Sequence, residues 1–427
     1  MLSVSSLSVQ FGKRILFDDV SINFTAGNCY GIIGANGSGK STFLNILSGK
    51  QDANSGSVHL EPGKRISVFE QNHNSFDEFP ALETVLRGNK VLFDVKAEMD
   101  ALYNKMDFSD ADGERVGALQ LDYEEMNGWN ADSEAAALLS NLGIKEDLHC
   151  KLMGELDGKQ KVRVLLAQAL FGNPDVLIMD EPTNDLDYET IMWLENFLAN
   201  YENTVIVVSH DRHFLDAVCT HISDIDFGKI NHFSGNYTFW YESSQLALRQ
   251  RNQQNKKAED KKKELQEFID RFSANVAKSK QATSRKKMID KLDIEELKPS
   301  SRRYPALIFD QEREAGDQIL NIENLSSSIN GNVLFSNVNI NFAKGDKVIV
   351  HAKDTRAIKS FYDILMGVSQ QDKGSFEWGK TTSQAYLPIN HEVFFEKSIS
   401  LVDWLRQYTR SEEEREEVFI RGFLGKM

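Results

Sequence analysis

The sequence predicts an α/β fold in which helices cover a largely parallel sheet. Continuous apolar runs at CYGIIG (29–34), DVLIMD (175–180) and TVIVVSH (204–210) are typical of strands that are buried on both faces. Helical patterns alternate with these runs and indicate parallel strands joined by helical crossovers, in a first domain over residues 1–237. The whole chain has 427 residues, which is long enough for two to three domains.

Two largely helical segments are predicted within and after this domain. Residues 82–140 have a helical pattern with polar breaks at FSDADG (108–113) and NGWN (127–130), which indicates a helical subdomain with a small inserted arm. Residues 238–305 are predicted to form a basic helical linker. Its pattern is interrupted at SANVAKSKQATS (273–284), so we expect two helices folded back as a hairpin.

The last predicted domain, residues 306–427, repeats the beginning of the first domain at an offset of 318 residues. Residues 15–49 and 333–367 share 11 identities in 35 pairs without a gap. The repeat stops at Met427, which corresponds to about residue 109 of the first copy. We therefore expect the N-terminal part of a second domain of the same kind, ended by a fragment boundary, a natural truncation or the decay of a gene.

Composition and charge limit the classes of function. The net charge of −15 argues against a general nucleic-acid coat, and no apolar run approaches the ~20 residues that span a bilayer. The charge is uneven, because residues 245–303 hold 17 lysines and arginines against nine acidic residues. We therefore expect a soluble, cytoplasmic protein without a membrane partner, in which the linker is the candidate contact for nucleic acid.

The sequence GANGSGKS (34–41) matches the phosphate-binding pattern G-x-x-x-x-G-K-[ST]. Phosphate oxygens need several donors at close range, and glycines let backbone N–H groups approach without a Cβ in the way. The lysine adds a positive charge, the serine hydroxyl can bind Mg²⁺, and the following helix offers its positive end. The predicted nucleotide-binding residues here are Gly34, Asn36, Gly37, Ser38, Gly39, Lys40, Ser41 and Thr42, with Ser41 also a Mg²⁺ ligand.

Residues that follow other apolar strands complete the chemistry of nucleotide hydrolysis. Asp180 is suited to hold Mg²⁺ through water, and Glu181 beside it is placed to orient or deprotonate an attacking water. His210 ends another strand and is a candidate contact for the γ-phosphate, while Gln71 follows ISVFE and is a candidate for catalysis and for Mg²⁺. Phe11 offers an aromatic face to adenine. A single histidine or phenylalanine is usually structural, so the ordered set is what indicates hydrolysis.

The segments GANGSGKST, LLAQALFGNPDVLIMDEPTNDLD and VIVVSHDRHFL resemble an ATP-binding cassette of the ABC-F family, closest to its YbiT-like branch. The resemblance covers the whole chain and implies a P-loop NTPase cassette with a helical subdomain, a basic helical-hairpin linker and a partial second cassette. It implies MgATP as the ligand and a ribosome-associated ATPase whose linker points toward tRNA. It assigns adenine stacking, the Q-loop, Walker B, catalysis, the switch and the contact with the opposite cassette to Phe11, Gln71, Asp180, Glu181, His210 and the pair Leu186 and Asp187, in that order.

Two parts of the cassette pattern are degraded. The family signature is LSGGQ-like, whereas this chain has LDGKQ, in which Asp157 would face the γ-phosphate as an anion and Lys159 replaces a glycine. In the second copy Ala352, Thr355 and Ala357 replace the glycines of the phosphate loop, and Ile358 replaces its lysine. Both changes fall on the same composite site of a cassette dimer, so we expect that site to be dead. The degenerate signature consists of Leu156, Asp157, Gly158, Lys159 and Gln160.

Three functions stay open. The residues favour a ribosome-associated ATPase of weak activity, and the alternatives are a non-catalytic or decayed remnant of the family and the ATPase subunit of a transporter. Self-association through the cassette face would supply a signature from a second copy. The predicted contacts with rRNA or tRNA are Lys278, Lys280, Arg285, Lys286, Lys287 and Lys291.

Overall fold

The computed structural model describes residues 2–12, 14–69, 75–184, 186–272, 314–329, 331–352, 354–388, 392–395 and 398–427. The chain divides into two units, Met1–Arg303 and Tyr304–Met427. Within the described ranges, no helix combines the length and the apolar character that crossing a bilayer requires.

The strands that the structure describes in the first unit form two sheets. The strands are β1 (Leu2–Phe11), β2 (Arg14–Phe24), β3 (Cys29–Gly34), β4 (Ser55–Leu60), β5 (Ile66–Phe69), β6 (Val176–Asp180), β7 (Thr204–Val208), β8 (His221–Asp226) and β9 (Lys229–Ser234). The larger sheet has the order β5-β6-β7-β3-β8-β9, in which the β8–β9 hairpin is antiparallel and the other neighbouring strands are parallel. The smaller sheet, β2-β1-β4, is antiparallel.

The helices of the first unit follow the strands in chain order. They are α1 (Lys40–Leu47), α2 (Ala81–Leu86), α3 (Lys90–Tyr103), α4 (Asp110–Glu125), α5 (Ala131–Asn141), α6 (Glu146–His149), α7 (Gly158–Leu170), α8 (Tyr188–Ala199), α9 (Arg212–Val218) and α10 (Tyr237–Phe272), with short 3₁₀ turns at Gly128–Asn130 and Met153–Glu155.

The larger sheet is buried on both faces, as its apolar sequences predicted. Along β6, Leu177 and Met179 belong to a core cluster that includes α7, α8 and α9. Val176 and Ile178 belong to a second cluster, formed with α1 and the smaller sheet. Because side chains alternate along a strand, every position of such a strand lies in one core or the other and is apolar.

Parallel pairing brings the carboxyl ends of three strands to one edge of this sheet. Strand β3 lies between β7 and β8, with Ile32 opposite Val208 and Gly34 opposite Ile225. Asp180, at the end of β6, is also paired with Val208. The loops after β3, β6 and β7 therefore leave the sheet side by side, which is where α/β proteins bind ligands.

The helical subdomain is inserted between β5 and β6 in the sequence. Helices α3 and α4 form a hairpin whose arm carries ion pairs between Arg115 and Glu98 at 2.7 Å and between Lys105 and Asp112 at 2.7 Å. The predicted break at 108–113 is shorter than expected, since α4 begins at Asp110. The reason is a capping box in which Ser109 and Asp112 satisfy each other's backbone N–H groups, so the acidic residues start the helix. The break at 127–130 contains the 3₁₀ turn.

Helix α10 runs for 36 residues from Tyr237 to Phe272 and forms the described part of the predicted linker. It is anchored at its start, where the Thr238 backbone N–H and hydroxyl donate to the carboxylate of Asp216 on α9 at 2.7 and 2.6 Å. Residues 273–313 lie outside the described residues, and with them lie the predicted hairpin turn and the candidate RNA contacts. The hairpin therefore stays a prediction.

The second unit reproduces the smaller sheet of the first unit residue by residue. Its described strands, β10 (Gln318–Ile329), β11 (Asn332–Ala343) and β12 (Lys373–Trp378), pair in the order β11-β10-β12. Leu320 pairs with Phe342 and with Trp378, just as Leu2 pairs with Phe24 and with Leu60, at the offset of 318. The helices here are α11 (Thr355–Leu365), α12 (Leu401–Arg406), α13 (Glu412–Arg415) and α14 (Glu417–Lys426), with a 3₁₀ turn at Glu392–Phe395.

The repeat departs from its template where the large sheet begins. Residues 347–352, which correspond to β3 and the start of its loop, are described but are not in a strand. Ile349 in this stretch has 94% of its surface exposed, whereas the matching strand in the first unit is buried. In the described part of the second unit, the apolar face of this stretch therefore lacks the strands that cover β3.

Candidate nucleotide site

The loop between β3 and α1 has the backbone shape of a phosphate cradle. Ser38 closes a turn by donating its backbone N–H to the carbonyl of Ala35 at 3.0 Å, and Gly37 and Gly39 have φ values of 74° and 103°. A Cβ on Gly39 would lie 3.1 Å from Leu16 Cδ1 and 3.3 Å from Phe17 Cε1 of β2. Glycine is therefore required at 39 both for its backbone angle and for the close approach of β2.

The lysine of the loop lies across the cradle. Its Nζ atom donates to the carbonyl oxygens of Gly34 at 3.1 Å and Ala35 at 3.3 Å. The hydroxyl of Ser38 is buried in the loop and makes no hydrogen bond within the described residues. A buried hydroxyl without a partner is destabilising, so it points to a ligand that completes the site. Lys40 and Ser38 are thus placed to meet an anion.

A carboxylate stands at the same edge of the sheet. Glu181 follows β6 with a φ of 49°, a left-handed angle that is strained for a residue with a Cβ and is common at functional sites. Its backbone N–H donates to the carbonyl of Val208 at 2.8 Å, which ties it to the end of β7. Its side chain accepts a hydrogen bond from the backbone N–H of His210 at 3.0 Å, and its other oxygen lies 3.4 Å from the His210 Nε2 atom.

The surroundings of Glu181 suit a proton acceptor. Burial raises the pKa of this carboxyl group, and the negative charge of Asp180 acts in the same direction. The hydrogen bond from His210, its charge and the charge of Lys40 oppose the increase. A raised pKa makes the carboxylate a better base toward water. The structure thus brings Lys40, Asp180, Glu181 and His210 into one electrostatic neighbourhood, as the sequence predicted.

Phe11 lies at the end of β1 and is 54% exposed, so its ring face is accessible to a ligand. Sequence reasoning missed its partner in the sheet, Arg14, the first residue of β2. The Arg14 Nη2 atom donates to the carbonyl oxygen of Gly37 in the phosphate loop at 2.8 Å. The signal that could have found it is a basic residue in the turn that follows the aromatic position.

The signature segment forms a helix start instead of an anion-binding edge. Asp157 is the N-cap of α7: its carboxylate accepts the backbone N–H of Gln160 at 2.8 Å, and the Gln160 side chain accepts the Asp157 N–H at 3.1 Å. The positive end of the helix therefore already meets a carboxylate. The neighbouring Leu156 is buried, Gly158 opens the helix and Lys159 lies in its first turn.

The loop predicted to contact the opposite cassette is tied to the same helix. Asp187 caps α8 by accepting the Thr190 backbone N–H at 2.9 Å and its hydroxyl at 2.7 Å, and it forms an ion pair with Arg163 of α7. Burial acts to raise the pKa of Asp187, but the bonds from Thr190 and the charge of Arg163 outweigh it and lower that pKa. Leu186 packs against the adjacent core.

In the second unit the phosphate loop is replaced by helix. Helix α11 begins at Thr355, the counterpart of Gly37, three residues earlier than α1 does in the repeat. Its N-cap, Asp354, accepts the backbone N–H of Arg356 at 2.8 Å and pairs with the Arg356 guanidinium at 2.7 Å. The N–H groups that would meet a phosphate are thus taken up by a carboxylate and by the helix.

Several predicted residues cannot be placed. Gln71 and its counterpart Ile389 lie outside the described residues, so the Q-loop role stays a prediction. The same holds for the six candidate contacts with RNA between residues 278 and 291. The assignment of Phe11 to adenine, of Ser41, Thr42 and Asp180 to MgATP and of Asn36 to the loop also stays a prediction, since it concerns a bound ligand.

Comparison with known proteins places the chain in a family. A family model described as ABC transporter matches residues 17–184, and a second model with the same description matches residues 223–309. The chain is 54% identical over 428 residues to the uncharacterized ABC transporter ATP-binding protein YkpA of Bacillus subtilis (strain 168), covering 100% of this chain and 79% of the relative. It is 40% identical over 427 residues to the probable ATP-binding protein YbiT of Escherichia coli O157:H7, covering 100% and 80%.

A human relative extends the comparison beyond bacteria. The chain is 28% identical over 434 residues to ATP-binding cassette sub-family F member 3 of Homo sapiens, covering 99% of this chain and 60% of that protein. The cassette fold with its intact phosphate loop, the two family models and these relatives agree. The chain therefore belongs to the ABC-F family of ATP-binding cassette proteins, which are ATP hydrolases.

Proposed function

We propose that this chain binds MgATP in its first cassette and acts in the cytoplasm as a ribosome-associated ATPase that contacts RNA through its basic linker. The observation that carries the nucleotide part is the contrast between the two phosphate loops. The first has open glycine angles, a buried hydroxyl and Lys40 across its mouth. The second is wound into α11 and capped by Asp354.

Each residue of the first site has a chemical task in this proposal. Lys40 and the N–H groups of the loop bind the β- and γ-phosphates. The Ser41 hydroxyl and the Asp180 carboxylate are oxygen donors of the kind that Mg²⁺ prefers, so the residues fit the ion, which supplies neutralisation of the phosphate charge. Glu181 accepts a proton from the attacking water, and the His210 backbone N–H holds the Glu181 carboxylate in place.

Turnover by a single chain should be slow. In a cassette dimer the γ-phosphate is closed over by donors from the opposite signature, and preorganised donors of this kind supply much of the transition-state stabilisation. A second candidate function, an ATP-binding protein that hardly hydrolyses ATP, is favoured by the carboxylate cap at Asp157. Self-association would supply a signature, but the one available on a second copy of this chain is the degraded one.

The test of the nucleotide site counts bound nucleotide per chain. Lys40→Ala should abolish binding of ATP in equilibrium dialysis, and Lys359→Ala, a lysine at the matching helix of the second unit, should leave it unchanged. One nucleotide per chain is expected. Two nucleotides per chain, or unchanged binding by Lys40→Ala, would contradict the proposal.

The ribosome part of the proposal rests on the family and on the charge of the linker. ATPase assays with and without ribosomes should show stimulation if the chain is a ribosome-associated enzyme. Co-sedimentation should place the chain with ribosomes and not with membranes, whereas a transporter subunit would follow the membranes. A chain that binds ATP but gives no stimulation would support the non-catalytic alternative.

A further inference from the structure

The turn between β1 and β2 presents an aromatic ring and a guanidinium side by side. Phe11 and Arg14 are paired residues of the two strands, so their side chains leave the same face of the smaller sheet. Both residues are exposed. The Arg14 side chain reaches the phosphate loop, where it donates to the Gly37 carbonyl at 2.8 Å.

The charge of Arg14 is otherwise uncompensated. Within the described residues, this bond to a neutral carbonyl is its one hydrogen bond, and it forms no ion pair with a described carboxylate. A guanidinium carries five N–H donors in a planar fork that matches phosphate oxygens. Arg14 therefore keeps a positive charge and spare donors at the edge of the phosphate loop.

The position of Arg14 lies on the path of a bound nucleotide. If the adenine stacks on Phe11 and the phosphates lie in the loop that begins after β3, the part between them must pass the Arg14 guanidinium. That part contains the ribose and the α-phosphate. Of these, the phosphate carries the negative charge that a guanidinium prefers.

The second unit offers an internal comparison within the same chain. Its turn keeps the core residues of β2, since Leu16 and Phe17 correspond to Leu334 and Phe335. The exposed positions of the turn change together with the loss of the phosphate loop. The aromatic residue, the arginine and the lysine of the first unit become Ile329, Asn332 and Ile358.

We propose that Arg14 is a nucleotide-contacting residue of the first cassette, whose guanidinium donates to the phosphate nearest the ribose. The inference rests on the proposed binding of ATP at this site and adds a residue and a ligand group to it. The rival explanation is that Arg14 holds the turn against Gly37 and has no contact with nucleotide. The two explanations differ in how affinity depends on the phosphates of the ligand.

The experiment measures the affinity of the full chain for ATP, ADP, AMP and adenosine by calorimetry. Arg14→Ala should weaken ATP, ADP and AMP by about tenfold each, the effect of one lost charge-assisted hydrogen bond, and leave adenosine unchanged. Arg14→Lys should recover part of the loss, because it keeps the charge but not the fork. The loss should shrink as salt is raised. Arg115→Ala, which removes an exposed arginine from the arm, is the matched control and should bind like the parent.

The outcomes separate this inference from the proposed function. Equal weakening of adenosine and ATP by Arg14→Ala would mean that Arg14 positions the turn, and parental affinity for all four ligands would mean that it has no role; either overturns the inference alone. Arg14→Ala that melts at the parental temperature excludes a folding defect as the cause of lost affinity. If the parent chain fails to bind ATP, or Lys40→Ala binds as the parent does, the proposed function falls and the inference falls with it.

Discussion

Gly39→Ala tests whether the backbone of the phosphate loop limits both stability and nucleotide binding. Gly39 has a φ of 103°, and a methyl group there would meet Leu16 at 3.1 Å and Phe17 at 3.3 Å. The left-handed angle costs an alanine about 1–2 kcal/mol. Displacing two packed side chains by a few tenths of an ångström adds about 1–2 kcal/mol.

The expected loss of unfolding free energy is therefore about 2–4 kcal/mol, which for a domain of this size lowers the Tm by roughly 4–16 °C. Gly49→Ala is a matched control at the other end of α1. Gly49 also has a left-handed angle, with a φ of 74°, but a methyl group there would have no neighbour within 4 Å. The control should lose only the backbone contribution, about half of the total.

Thermal unfolding followed by circular dichroism gives the stability of the two variants, and calorimetry gives their affinity for ATP. Gly39→Ala should melt below Gly49→Ala and should lose ATP binding, because its loop N–H groups shift. Gly49→Ala should bind ATP like the parent. The reasoning is wrong if both variants melt together, or if Gly39→Ala binds ATP with parental affinity.

Three further predictions concern the catalytic carboxylate and the linker. Glu181→Gln should leave an already low ATPase rate of the isolated chain little changed while trapping bound ATP; fast hydrolysis that this variant loses would show that a signature is supplied in trans. Burial raises the pKa of Glu181 in the folded state, so ionisation there is unfavourable above the ordinary pKa of glutamate. Glu181→Gln should therefore unfold at higher denaturant than the parent at neutral pH, and the difference should vanish as pH falls below that ordinary value. Ribosome co-sedimentation across a salt series should lose affinity, and its salt slope should fall by roughly 0.7–0.9 per phosphate contact, in a triple alanine variant. No change at any salt concentration would make the linker a spacer. The substituted residues are Lys280, Arg285 and Lys286.

The fold and the centre of the site could be predicted because their signals are local. The strand before the phosphate loop, the strand ending at Asp180 and the helix starting at Lys40 each follow from a short run of apolar, glycine or capping residues. Their meeting at one edge follows from parallel pairing alone, since strands that share a direction end on the same side. Glu181 and His210 could be assigned together for this reason.

The remaining features depend on contacts between segments that are distant in sequence. Arg14 reaches Gly37 because β2 packs on the phosphate loop, and nothing near residue 14 states this. Asp157 was interpreted from its charge against a phosphate, whereas the structure shows its carboxylate capping α7. The D-x-x-Q spacing was a readable capping box, but the choice between cap and ligand contact needs the backbone geometry.

The early start of α11 makes the loss of the second phosphate loop hard to reverse. Restoring the lysine by Ile358→Lys would add a charge to a helix that has already used the loop residues as its first turn. A working cradle would also need three residues to unwind, new glycines and the removal of the Asp354 cap. No single substitution on the way improves phosphate binding, so selection has no step to act on. The second cassette is thus held in its silent state by its backbone, and a gene that once lost this site would sooner acquire a new copy than repair the old one.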